Sequence, residues 1–140
     1  MNFDKLNTVS GADKGAWLHL KHPALGHLLY TGEGADEDGR LKVKEKASKV
    51  RVYVQGMESE AVQNVVREAQ KNQLKSEGDE EADGFAIGCA LVTEFEGIER
   101  DGEPLKATNE NKTDFFKQSS SLITQVTQFA SNRANFYKAV

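Results

Sequence analysis

Histidine, cysteine and paired carboxylates are the side chains here that could hold a metal or move a proton. His19, His22 and His27 are the only histidines. A metal site needs three or four ligands converging on one point. An extended chain around His19 and His22 would send the two rings to opposite faces. They read as polar residues on a half-exposed sheet edge. Asp36-Glu37-Asp38-Gly39 has the acidity of a calcium loop but lacks its alternating oxygen ligands and terminal bidentate Glu. It reads as an acidic turn. Gly32 and Gly34, with Gly39 after them, could suggest a phosphate loop, yet no Lys-Ser/Thr and no helix start follow. Cys89 sits in an apolar run, where a thiol behaves as a small hydrophobe. Glu77, Asp79, Glu80, Glu81 and Asp83 form a wholly polar run. General acid–base work needs one carboxyl buried and one solvated, so that their proton affinities separate. The residues therefore predict no catalytic group, no metal and no cofactor, and an interaction protein rather than an enzyme.

The elements that position these residues follow from composition and periodicity. The 140 residues are 38% hydrophobic and 29% charged, enough apolar material for one packed unit. The net charge of −4 opposes nucleic-acid binding, which needs clustered Lys and Arg. The acidic excess is confined to residues 57–96, with three Lys/Arg against ten Asp/Glu. With a single cysteine the chain can form no internal disulfide, which suits a reducing compartment. No apolar run approaches the ~20 residues of a membrane span, and the opening residues lack a signal-peptide core. The expected location is cytosolic.

Alternation predicts strands at Ala16–Lys21, Leu28–Tyr30 and Lys49–Val54, the last with Val50, Val52 and Val54 on one face. Together they make a small antiparallel sheet with one buried face over residues 1–56. Residues 57–140 read as helical. Ser59 caps a helix to about Leu74, with Ala61, Val62, Val65, Val66 and Ala69 as its apolar stripe. Gly78 breaks it, and a second helix spans Glu80–Val92, although a strand over Phe85–Phe95 also fits. Gly84 and Gly88, four apart, would let a neighbouring element approach. Asp101-Gly102 marks a hairpin turn. Thr108 or Asn109 caps a helix bearing Phe115 and Phe116, and the serine run at 119–121 is a break or the cap of the last helix. The fold class is α+β: a small N-terminal antiparallel sheet, then a mostly helical part with one short hairpin, in one compact unit.

The last helix is predicted to carry Leu122, Ile123, Val126, Phe129, Ala130, Phe136 and Tyr137. Such a stripe is either core or a docking face for a second chain. Leu122, Val126, Phe129 and Phe136 are the candidate partner-binding residues.

Four segments resemble, in order, motifs of the tail assembly chaperone-like proteins of tailed bacteriophages. Gly15 to Gly26, with Leu18, Leu20, His22 and Pro23, is similar to that family's opening motif. Arg51 to Ser59 resembles its strand-to-helix junction. Glu96-Gly97-Ile98, Asp101 to Leu105 and Asn109-Glu110-Asn111 resemble its middle segment. Gln125 with Phe129 to Phe136 resembles its closing motif. Phe95 stands where the family commonly has Trp, and Met57-Glu58 replaces the usual Gly/Arg-Asp. The resemblance implies a non-enzymatic protein of the bacterial host cytoplasm. It would keep the tape-measure protein soluble and help tail-tube subunits polymerise around it. A chaperone of this kind is expected to self-associate modestly, as a homo-oligomer. A structural virion component, such as a head–tail or tail-completion protein, and a small host-binding phage protein are the alternatives.

Overall fold

The structure, a computed structural model, describes residues 1–74 and 80–137, with backbone alone at 80–82. Its main sheet has three strands: β1 (Ala16–His19), β4 (Arg51–Val54) and β5 (Val92–Glu96), in the order β1-β4-β5 and antiparallel throughout. The register sets Leu18, Val52 and Phe95 side by side on the inner face, and Trp17, Tyr53 and Glu94 on the outer one. The alternation of Val50, Val52 and Val54 does what it predicts, since all three are buried.

The third strand of that sheet is a correction. Leu28–Tyr30 was expected there, but β2 (Tyr30–Thr31) pairs with β3 (Ser48–Lys49) in a separate ribbon. The place is taken by β5, whose Val-Thr-Glu-Phe run is β-branched and aromatic. The preceding helix, α3 (Glu80–Leu91), therefore stops one residue earlier than expected and passes straight into the strand. Its last carbonyls are capped: Gln55 N–H donates to the Leu91 carbonyl at 2.8 Å, and Lys112 Nζ to that of Cys89 at 3.0 Å.

The other helices start where their capping residues stand. Ser59 Oγ accepts from Val62 N–H at 3.3 Å at the head of α2 (Glu60–Leu74). Thr108 Oγ accepts from Asn111 N–H at 3.2 Å before α4 (Asn109–Lys117), and Ser119 Oγ from Ser121 N–H at 3.3 Å before α5 (Ser120–Ser131). Asp101 (φ 54°) and Gly102 (φ 79°) both adopt left-handed backbone, as the hairpin of β6 (Glu99–Arg100) and β7 (Glu103–Pro104) demands. A short helix α1 (Val9–Lys14) precedes the sheet. The predicted break at Gly78 lies outside the described residues.

One apolar cluster joins the sheet to the helices. Val52, Val54 and Val92 meet Val62, Leu91, Phe116 and Val126 there. The helix α3 runs through the middle, against α2, α4 and α5. Of its two glycines only Gly88 admits a neighbour. A Cβ there would stand 2.9 Å from the Phe116 ring, whereas one on Gly84 would meet nothing within 4 Å. The last helix is shorter than its stripe predicts. Asn132 leaves helical backbone (φ −89°, ψ 100°), and its side chain accepts from Ala134 N–H at 3.1 Å to start a 3-10 turn, Arg133–Asn135. Phe136 therefore turns back onto Gly11 and Gly56 instead of extending the helix.

Candidate functional site

The predicted docking stripe is interior. Leu122, Val126 and Phe136 are buried, and Phe129 is half-buried, its ring 5.4 Å from that of Phe136 in an edge contact. The expectation that these four residues present an open apolar face is corrected. The sheet needs a cover, and α5 with the returned Phe136 supplies it.

The four segments that carry the phage resemblance are joined to one another. Their first and second members pair as β1 and β4. Gln125 exchanges two bonds with the backbone of Lys21, accepting from its N–H at 2.8 Å and donating to its carbonyl at 3.0 Å. This amide stands in for a strand partner. The Glu58 carboxylate accepts from Thr8 Oγ at 2.9 Å and pairs with Arg133. Arg51 pairs with Glu96. These positions act as joints between distant parts of the chain.

An open concavity lies between α2 and α3. Val66, Ala69, Leu74 and Ile87 give it an apolar floor and wall, and Gln70, Gln73 and Asp83 stand along it. Its volume is about 750 Å³, against about 350 Å³ for a hollow beside Thr127 and Asn132. Leu74 is 88% exposed at its end. The Gln73 amide donates to Asp83 Oδ2 at 3.2 Å and bridges the two helices there. The groove exists because α2 has a narrow stripe: Val62 is buried in the core, while Val66 and Ala69 further along are only half-covered. Gly84 adds no side chain on the facing helix, which widens the gap. Such a trough fits the apolar side of a helix, held by residues one turn apart. Sequence periodicity places Val66 and Ala69 on one face, but it does not show that α3 leaves that face open.

The outer face of the sheet satisfies itself. Arg51 lies over the Trp17 ring at 4.5 Å, Trp17 meets Tyr53 edge-on at 5.0 Å, and Tyr53 Oη donates to the Lys14 carbonyl at 2.6 Å. The histidines serve the loops. His19 Nε2 donates to the Leu29 carbonyl at 2.7 Å and His27 Nε2 to that of Asp38 at 2.8 Å. His22 Nδ1 accepts from the N–H groups of Ala24 and Leu25, and its ring stacks on His27. Asp36 folds its carboxylate onto the backbone of its own turn. It accepts from Arg40 N–H and Asp38 N–H, each at 2.9 Å. The Arg40 N–H, with that of Asp38 and the nearby Lys42 and Arg40 charges, holds this carboxyl below its ordinary value of 3.8, against a smaller opposing effect of desolvation. No group of three or more His, Cys, Asp or Glu side chains among the described residues is placed to hold a metal ion.

Cys89 is half-buried, with Sγ 3.5 Å from Thr113 Oγ1. Of the acidic run, Glu77 and Asp79 and the side chains of Glu80 and Glu81 lie outside the described residues. No described helix is long and apolar enough to cross a membrane. The chain matches no protein-family profile, no curated protein and no solved structure.

Proposed function

We propose that this protein is a non-enzymatic tail assembly chaperone of a tailed bacteriophage, working in the cytoplasm of the bacterial host. Its client is an apolar helical stretch of the tape-measure protein, seated between α2 and α3, and it delivers that client to the tail-tube subunits. The open groove of Val66, Ala69, Leu74 and Ile87 carries this reading. A long helical client with apolar stripes aggregates unless those stripes are covered, and the groove offers cover of matching shape and chemistry. The ordered resemblance of four segments supports the same reading. Those segments are the joints of the fold, so the likeness speaks for a shared architecture and the groove for the site.

Co-expression with the tape-measure protein is the test. The native chain is expected to co-purify with it and to raise its soluble fraction. Leu74→Glu with Ala69→Glu is expected to abolish both effects while leaving the far-ultraviolet circular dichroism spectrum unchanged. A native chain that neither binds nor solubilises the tape-measure protein removes this function. Mass spectrometry of purified virions separates the structural alternative, because a chaperone is absent from the finished particle.

A further inference from the structure

The strand β1 has one side unused. It lies at the edge of the main sheet, with β4 on its other side. Leu20 N–H donates to the Val50 carbonyl at 3.0 Å, which continues the register of that pair. In an antiparallel ladder the backbone groups of alternate residues face one side. Those of Ala16, Leu18 and Leu20 therefore face β4, and those of Trp17, His19 and Lys21 face away. Lys21 confirms the direction, because its N–H and carbonyl meet the Gln125 amide beyond the edge. Among the described residues, no hydrogen bond reaches the N–H or carbonyl of Trp17 or His19.

The open groups are symmetric about Leu18. Trp17 and His19 flank it, and the next positions of that set are already partnered. Gly15 N–H donates to the Gly11 carbonyl at 3.0 Å, and Lys21 is held by Gln125. A second β1, antiparallel and related by a two-fold axis at Leu18, sets each Trp17 against the His19 of the other copy. Every open N–H then meets an open carbonyl, and the ladder stops where Gly15 and Lys21 are occupied. The segment Ala16–Leu20 carries no Asp, Glu, Lys or Arg, so no side-chain charge opposes the pairing. The other edge of the sheet differs. Thr93 and Phe95 are its outward residues, and a two-fold pairing there places Glu94 against Glu94. Like charges directly opposite destabilise a strand pair, and charge is a common way of blunting an edge.

We propose that the free edge of β1 pairs with β1 of a second copy of this chain, joining two three-stranded sheets into one antiparallel sheet across a two-fold axis. The interface is self-complementary and closed, so assembly stops at a dimer. Unpaired backbone groups call for an extended strand, and their placement either side of Leu18 selects a second copy of the same one. Neither the groove between α2 and α3 nor the chaperone reading enters this inference.

Sedimentation equilibrium and amide exchange of the full chain test it together. The native protein is expected to show a monomer–dimer equilibrium, with the Trp17 and His19 amides gaining protection as concentration rises. The Thr93 and Phe95 amides should gain none. Trp17→Pro removes an outward N–H that the protomer does not use, a position at which edge strands accept proline. It should raise the dimer dissociation constant roughly tenfold to a hundredfold, because each copy loses one bonding N–H. Trp17→Phe keeps that N–H and should stay within about threefold of the native value. Circular dichroism is expected to show both variants folded; if Trp17→Pro is not, the exchange pattern of the native chain decides alone. A native chain that stays monomeric at every concentration overturns the proposal. So does a dimer in which the Trp17 and His19 amides exchange as in the monomer, or one that folded Trp17→Pro leaves intact. Protection of those amides only on adding the tape-measure protein also overturns it, since the occupant is then a foreign strand.

Discussion

Asp36 shows what a carboxylate in this chain is for. Its acidity suggests a cation, but both short bonds to it come from backbone N–H groups of its own turn. Its folded proton affinity is depressed, so its contribution to loop order is present above its unfolded value of about 3.9 and is lost as pH falls through the lower folded value. Amide-exchange protection over residues 36–40, taken relative to the intrinsic rate at each pH, should therefore fall only in acid. Asp36→Asn keeps an accepting oxygen and should abolish that acid dependence, whereas Asp36→Ala should accelerate exchange at neutral pH. The four predicted docking residues teach a complementary lesson. Leu122→Ala should cost about 2–5 kcal/mol and Phe136→Ala about 3–5 kcal/mol in urea denaturation, because each empties a filled interior position. Exposed docking residues would change stability by less than about 0.5 kcal/mol.

The helix α3 is the element on which the two readings of the sequence turn. Its glycines look equivalent in the chain and are not equivalent in the fold. Gly88→Ala drives a methyl group into the Phe116 ring and should destabilise by about 1–3 kcal/mol, with α4 displaced. Gly84→Ala finds open space and should stabilise by about 0.5–1 kcal/mol through higher helix propensity. Thermal denaturation of the two variants gives opposite shifts if this placement is right. The sequence admits a strand over Phe85–Phe95 as well as a helix because Gly84 and Gly88 lower helix propensity. Pairing with β4 decides it, since Val92 stands opposite Val54 and both are fully buried.

Across the whole molecule, the joints run between parts far apart in sequence. Lys21 with Gln125, and Thr8 with Glu58 and Arg133, tie the beginning of the chain to its end through side-chain bonds. Gln125→Ala removes both partners of the Lys21 backbone and should cost about 1–3 kcal/mol. If Gln125 were only a surface amide, urea denaturation would show less than about 0.5 kcal/mol. The groove between α2 and α3 runs along the far part of α2, away from these joints. The proposed chaperone thus separates the residues that hold it together from those that meet its client.

Local chemistry alone determined a good part of this protein. The Ser59 cap, the Asp101-Gly102 turn and the valine alternation of β4 are legible because each depends on a few neighbouring residues and on backbone geometry, whereas the choice of Thr108 over Asn109 and of Ser119 within its serine run is made by the structure. The α+β class follows from those periods. Tertiary structure decided which strands share a sheet, that Asn132 turns Phe136 back, and that the strongest apolar stripe is core. It also decided that the weaker stripe of α2 is left partly open. Periodicity records which residues share a face. Whether that face is covered depends on partners tens of residues away, and only the packed fold sets where those partners lie.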